Sequence, residues 1–417
     1  MLKLLIIGYV WPEPNSSGAG VRMMELIRLF LEQEWEITYA SPAAISEHMA
    51  DLDSLGVATE TIAVNESSFD AFISTLKPDI VLFDRFMMEE QFGWRVEKIC
   101  PEALRIIESI DLHLLRDARH RAAKESGQVV KDIERSHLYS EIAKREIASF
   151  YRSDLTLLIS AYEMRLLVEQ FSFPENLLHL TPFMFDESHI ESSSPEFDDR
   201  NHFISIGNFR HAPNWDSVRW LSETIWPMIR KQLPEVELHI YGAYPPKKAT
   251  ALHRPEHGFQ IAGWAASALD VMKQARVSLA PLRFGAGIKG KLADAMLAGT
   301  PSITTSVGAE SMRGGLDWGG AVADDPEAFA DAAVNLYREK EAWHQAQQNG
   351  FAIVRTLFNS VENGTALINR IERCRETVEE SRTNNFTGAM LRHHHHRSTE
   401  FMSRWIEAKN RGIHEQQ

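Results

Sequence analysis

The chain is poor in cysteine: Cys100 and Cys374 are the only two in 417 residues, and they lie far apart. That excludes a disulfide framework and suits a reducing compartment. Basic residues are not in excess either. Lys and Arg total 44 against 58 Asp and Glu, a formal net charge of −14. A globally basic nucleic-acid binder is thereby excluded, although a local basic pocket is not. No apolar run approaches the roughly 20 residues that cross a bilayer. The longest opening run, residues 2–10, is followed by Trp11-Pro12-Glu13 instead of a small-residue cleavage site. It reads as a buried first strand of a cytoplasmic protein, not a signal segment. Zinc-type ligand spacing and a Ser-His-Asp signature are also missing. What remains is ordinary globular composition, 44% hydrophobic and 24% charged. At about 150 residues per domain, the length predicts two or three domains.

Short apolar runs alternate with helical stretches. Residues 4–7, 36–40, 61–64, 79–83, 104–107 and 155–159 read as strands, and a helix is expected over 21–32. Continuous apolar runs of this length suit strands buried on both faces of a parallel sheet, and the alternation predicts a doubly wound α/β domain. The rhythm breaks at 191–199, a polar, acidic, proline-containing linker, and restarts at 203–207, 236–241, 277–281 and 302–305. The expected organisation is two Rossmann-like domains, 1–195 and 196–380, followed by a helical tail, 381–417. Charge-rich residues 116–150 read as one or two long surface helices inserted in the first domain.

The most informative segment is 280–309, read as strand, glycine-rich loop, helix, Gly-Thr-Pro, strand. Gly285, Gly287 and Gly290 let backbone approach a ligand closely. A helix starting near Ile288 turns its free N–H groups toward that loop, and such a terminus attracts phosphate. Lys289 and Lys291 stand in its first turn, where cations disfavour the helix unless something negative lies beside them. A diphosphate resolves that conflict, and Asp294 further along can accept two ribose hydroxyls. A helix with solvated lysines and no ligand is the bland alternative.

This segment resembles the donor-binding stretch of GT-B glycosyltransferases, specifically the retaining enzymes of glycosyltransferase family 4. The resemblance rests on Gly285-Ala286-Gly287, Lys289, Lys291, Asp294-Ala295-Met296 and Gly299-Thr300-Pro301. It is supported by residues 207–214 at the entry to the second domain, by Gly242 and by Gly263-Trp264. It implies two Rossmann-like domains facing a cleft, terminal helices that cross back to the first, and sugar transfer from a nucleoside-diphosphate sugar to a glycan or lipid-linked acceptor. It further implies retention of anomeric configuration, no cofactor, no metal, and room for peripheral association at an inner membrane face. Donor contacts fall on Gly207, Arg210, Gly285, Gly287, Lys289, Lys291 and Asp294. Of two acidic positions common in the family, Asp294 fills the second and Ala286 the first, so one contact to the transferred sugar is missing. A sugar-nucleotide 2-epimerase on the same architecture, or a scaffold that has lost its chemistry, are the alternatives.

In the first domain, Gly18, Gly20 and Arg22 follow the first strand and resemble the family's loop facing the diphosphate and the acceptor. After the strand at 104–107, Asp111 and His113 are placed at the carboxyl end of the sheet, where open α/β folds bind ligands. The resemblance makes His113 the residue near the donor sugar, with Asp111 as orienting partner; an N-cap aspartate and a surface histidine are the structural alternative. Ser160 to Glu163 reads as a capping box and nothing more. His393 to His396 reads as a solvated basic turn, and residues 401–406 as a packed terminal helix. The Asn-x-Ser/Thr triplets at Asn65, Asn363 and Asn385 carry no meaning in a cytoplasmic protein.

Overall fold

The computed structural model describes residues 1–186 and 195–414. Two all-parallel sheets form two α/β domains. The first has β1 (Lys3–Ile7), β2 (Glu36–Ser41), β3 (Ala58–Thr61), β4 (Ile80–Asp84), β5 (Leu104–Glu108), β6 (Leu155–Leu158) and β7 (Leu178–Leu180), in the order 3-2-1-4-5-6-7. The second has β8 (Asn201–Ile206), β9 (Leu238–Tyr241), β10 (Phe259–Gly263), β11 (Ala275–Ala280), β12 (Ser302–Thr304) and β13 (Gly320–Val322), in the order 10-9-8-11-12-13. In each sheet the strand order reverses beside the first strand. That reversal opens a crevice at the carboxyl ends of β1 and β4, and of β8 and β11.

The apolar runs are continuous because both faces are covered. Leu5, Ile7, Val81 and Phe83 enter one core cluster, while Leu4, Ile6, Ile80 and Leu82 enter another on the opposite face. β3 departs from the expected 61–64. It is an edge strand with mostly exposed side chains, so its own residues carry no apolar signal. Buried Ile62, just past its end, supplied the misleading one.

The helical insertion also differs from expectation. Its helices are His113–Ser126, Arg135–Leu138 and Glu141–Arg152, and they are wedged against the second domain and the helix Phe86–Ile99. Most of its charged residues are exposed, as surface helices require, but Arg119, Glu146 and Arg152 are buried, Arg119 against Glu310 and Arg152 against Glu89. Composition alone makes such a segment look solvated.

The chain crosses between domains twice at one place. Phe185 N–H donates to the Phe358 carbonyl at 2.7 Å, and Ser360 N–H donates to the Phe185 carbonyl at 3.1 Å. The return to the first domain therefore starts at Ser360, earlier than 381. Helix Ser360–Glu376 lays Leu367, Ile368, Ile371 and Cys374 into the first domain's core. The linker read at 191–199 lies outside the described residues up to 194, and Phe197–Asp199 forms a 3-10 turn.

Because Leu367 is fully buried in a cluster with β1, β4 and β5, Leu367→Ala is expected to lower unfolding free energy by about 2–5 kcal/mol. Urea denaturation followed by circular dichroism measures it. A loss below about 1 kcal/mol contradicts the docking of this helix.

Candidate active site

The loop after β11 narrows to Gly285-Ala286-Gly287, between buried Phe284 and Ile288. Gly287 has φ 65, in the left-handed region that favours glycine. A Cβ there would stand 3.0 Å from the Asp111 Cβ of the first domain. Ala286 is buried in the first domain's core cluster, so the loop penetrates that domain. The helix starts at Gly290, two residues later than expected, and runs to Leu297. Its first turn presses on the start of helix Gly18–Glu32: a Cβ on Gly290 would lie 3.5 Å from the Gly18 Cα. Two helix N-termini, both electropositive, thus meet across the domain boundary. Gly20 has a different task. A Cβ there would strike the Glu13 backbone at 2.4 Å, so it lets residues 13–17 fold tightly onto the helix.

Lys289 caps the helix and folds back on its loop, with Nζ 2.6 Å from the Gly287 carbonyl and 3.1 Å from that of Ala286. Lys291 reaches the start of the second domain. Its Nζ donates to Asn214 Oδ1 at 2.7 Å and lies so close to Gly207 that a Cβ there would be 2.8 Å away. Desolvation first, then the Lys289 charge, pushes Lys291 down to about 7. Burial likewise pushes Asp294 up to about 7. Its charge acts on Glu25 of the first domain, which burial raises to about 8 although Arg22 Nη1 lies 3.7 Å from Glu25 Oε2. Both lysines therefore turn into the boundary between domains, not toward bulk solvent. Arg210 is exposed and stacks its guanidinium 3.6 Å from the Tyr244 ring centroid, while the Tyr244 hydroxyl donates to the Glu13 carboxylate at 3.0 Å.

Three first-domain residues take other partners than the sequence suggested. Arg22 is buried, with Nε and Nη2 on Glu108 Oε2 at 3.2 and 3.1 Å and Nη1 on the Pro182 carbonyl. It braces the helix against the sheet and offers no free charge to the cleft. Asp111 pairs with Arg116 Nη1 at 2.6 Å. Burial alone would raise its pKa, but Arg116 outweighs that and holds the carboxyl well below its usual range. His113 Nδ1 lies 3.3 Å from Glu146 Oε1 and 3.9 Å from Asp111 Oδ1, so Glu146 is its nearer orienting group. Glu146 also caps the helix, accepting from the N–H groups of His113 and Leu114 at 2.9 and 2.8 Å.

Two further residues were not legible in the sequence. Glu163 does sit at the third position of a helix capped by Ser160, as a capping box requires. Its carboxylate, however, turns the other way. Oε1 accepts from Leu112 N–H at 2.9 Å and from Gly287 N–H at 2.7 Å, joining the two domains. Fully buried, it is pushed well up from the usual carboxylate range. Arg119, also fully buried, donates to the Gly285 carbonyl at 2.9 Å and to both oxygens of Glu310 at 2.9 and 2.8 Å. The glycine loop is therefore held from the first domain at Gly285 and Gly287. Residues 393–396 were misread too. His396 is buried between Glu97 and Glu89, and only part of the run is exposed. Among the described residues, no cluster has a set of metal ligands.

Removing the Glu163 carboxylate leaves two buried N–H groups unmet, each costing about 1–3 kcal/mol. Glu163→Ala is expected to lose about 2–4 kcal/mol in urea unfolding, whereas Glu163→Gln, whose amide oxygen still accepts, recovers most of it. Equal losses in both variants contradict the clasp.

Residues 200–339 match the family described as Glycosyl transferases group 1. No curated protein matches the chain in sequence. Among solved structures, the chain is similar to HepE of Anabaena in complex with UDP and glucose, with TM-score 0.66, 12% identity and coverage of 89% of this chain and 100% of that one. It is similar to sucrose-phosphate synthase of Thermosynechococcus elongatus, with TM-score 0.65, 15% identity and coverage of 89% and 98%. A glycosyltransferase of Rickettsia africae gives TM-score 0.64, 11% identity and coverage of 90% and 98%. The chain thus has the GT-B fold of two facing Rossmann-like domains, and its second domain matches the group 1 glycosyl transferases.

Proposed function

We propose that the protein is a retaining glycosyltransferase. It takes a sugar from a nucleoside diphosphate held on the second domain and passes it to a glycan or lipid-linked acceptor presented by the first. The observation that carries this reading is Lys291, drawn out of water beside Gly207 and Asn214 in the first turn of a helix that abuts a second helix N-terminus. A desolvated cation and two converging sets of free N–H groups suit a diphosphate better than any neutral ligand. Because HepE was crystallised with UDP, a UDP-sugar is the first donor to test. Retention follows the family resemblance of the 280–309 segment.

In this scheme, negative charge grows on the departing diphosphate. Lys291, Lys289 and the helix amides stabilise it where a divalent metal would otherwise be needed. Lys289 exchanges its loop carbonyls for phosphate oxygens. Asp294 accepts ribose hydroxyls, and His113, steadied by Glu146, contacts the donor sugar. Glu163 and Arg119 act at one remove by fixing the glycine loop. Ala286, turned into the first domain, leaves the first acidic position of the family without a counterpart. Cys100 and Cys374 are both free thiols, which suits catalysis in the cytoplasm.

Lys291→Ala is expected to cost roughly 1.5–3 kcal/mol of transition-state stabilisation, read as kcat/KM for sugar transfer from a UDP-sugar. Wild-type turnover in that variant removes Lys291 from the scheme. Conversion of the donor without acceptor points to the isomerase reading, and absence of any nucleotide binding points to a scaffold. The pH dependence has a defined sign. Free Lys291 titrates near pH 7, and a bound anion raises its pKa. Binding above neutrality therefore takes up a proton, and UDP affinity falls as pH rises from about 7 toward 9. Ionisation of Asp294 and Glu25 over the same range acts in the same direction. Calorimetry in buffers of different ionisation enthalpy reads the uptake; affinity independent of pH over that window contradicts it.

A further inference from the structure

The last helices of the described chain carry their apolar residues on the wrong side for a packed terminal helix. Helix Phe386–Leu391, a π-turn Arg392–His396 and helix Arg397–His414 run on from one another along the first domain. The face turned to the protein is polar. Arg95 Nη2 donates to Ser403 Oγ at 3.1 Å, Lys98 Nζ to Glu400 at 2.7 Å and Ser67 Oγ to Glu407 at 2.7 Å, and His396 sits between Glu97 and Glu89. The face turned away is aromatic. Phe386 is 71% exposed, Phe401 66% and Trp405 59%, with Met390 and Met402 also exposed. A helix that only completes a fold does the reverse.

Cations lie among these apolar residues. Where the tail meets helix Phe86–Ile99, an open surface depression is lined by Glu97, Ala389, Arg392, His393 and Arg397. Arg392 shares Glu97 at 3.3 Å, while Arg397 forms no ion pair among the described residues. From 386 to 411 there are five Arg and Lys against two Glu, in a chain of net charge −14; Arg404 and Arg411 pair with Glu400 and Glu407, which leaves Arg397 and Lys409 as the excess. The strip is therefore locally basic on an acidic protein.

We propose that this strip is a docking surface for an anionic lipid bilayer. Phe386, Met390, Phe401 and Trp405 enter the headgroup–acyl boundary, and the depression at Arg392, His393 and Arg397 takes a headgroup phosphate. A basic helix with aromatic and aliphatic residues on one face is the form that lies in a membrane interface. A protein partner fits less well, because the core of a protein interface is depleted in charge, whereas here an unpaired arginine sits midway along the apolar line. The strip also connects to the cleft. Helix Phe86–Ile99 begins with Phe86 against the His113 ring, 5.3 Å between centroids, and ends under the strip, where Glu97 meets His396 and Arg392. Docking thus orients the first-domain wall of the cleft relative to the bilayer. The inference does not rest on the transfer reading, since lipid binding is measured without donor or acceptor.

The test is co-sedimentation of the full chain with vesicles of equimolar phosphatidylglycerol and phosphatidylcholine, against vesicles of phosphatidylcholine alone. The wild type is expected to bind the anionic vesicles and not the neutral ones. Phe401→Ser with Trp405→Ser should weaken binding at least about tenfold, and Arg397→Glu several-fold, with unchanged melting temperature. Hydrogen exchange on the wild type supplies a readout that needs no variant: residues 386–411 should gain protection on anionic vesicles. Absence of binding, equal binding by the double variant, or unprotected amides overturns the proposal. So does a wild-type dimer in light scattering that the double variant dissolves, which assigns the strip to a second copy of the chain.

Discussion

The arrangement depends on how a short stretch of nearly side-chain-free backbone, Gly285-Ala286-Gly287, is held between two domains. Its glycines allow it to enter the first domain, and buried charge fixes it there. Arg119 grips the Gly285 carbonyl and Glu310, and Glu163 takes the Gly287 amide. Truncating one partner of such a buried pair is costly, because the other charge is left uncompensated. The loop position in turn sets where Lys289 and Lys291 stand and where helix Gly290–Leu297 points its free amides. Lysine in the first turn of a helix is unfavourable to the helix itself. The domain boundary holds that conflict in place, and on the proposed reading a bound anion relieves it.

The same economy explains the first domain. Arg22, Asp111 and His113 all lie near the carboxyl ends of β1 and β5, but each is already engaged by a neighbour: Glu108, Arg116 and Glu146. Arg22 is held by Glu108 and the Pro182 carbonyl, and Asp111 by Arg116. His113 keeps a partly exposed ring whose tilt Glu146 and Phe86 fix. Among the described residues near the cleft, Lys291 is a cation whose nearest partner, Asn214, is neutral.

What the sequence made legible follows from which signals are local. Continuous apolar runs announced buried parallel strands, since both sheet faces are covered, and the glycine-lysine segment announced its loop and helix. An edge strand such as β3 has no such run, so residues 61–64 were read in its place. Glu163 carries a capping-box signature that is locally true and says nothing of where the carboxylate turns. Most charges of 116–150 are exposed as their composition suggests, but Arg119 does not reveal in sequence that its partner, Glu310, waits buried elsewhere. Phe401 and Trp405 have the spacing of a packed helix; only the polar groups already facing the protein, Ser403 and Glu407 among them, show that the apolar side is turned out.

The most direct test of the central claim is a crystal structure grown with UDP. The diphosphate is expected between the two helix starts at Gly18 and Gly290, with a phosphate oxygen about 3 Å from Lys291 Nζ and Asn214 released from it. A diphosphate bound elsewhere, with Lys291 still on Asn214, contradicts the account.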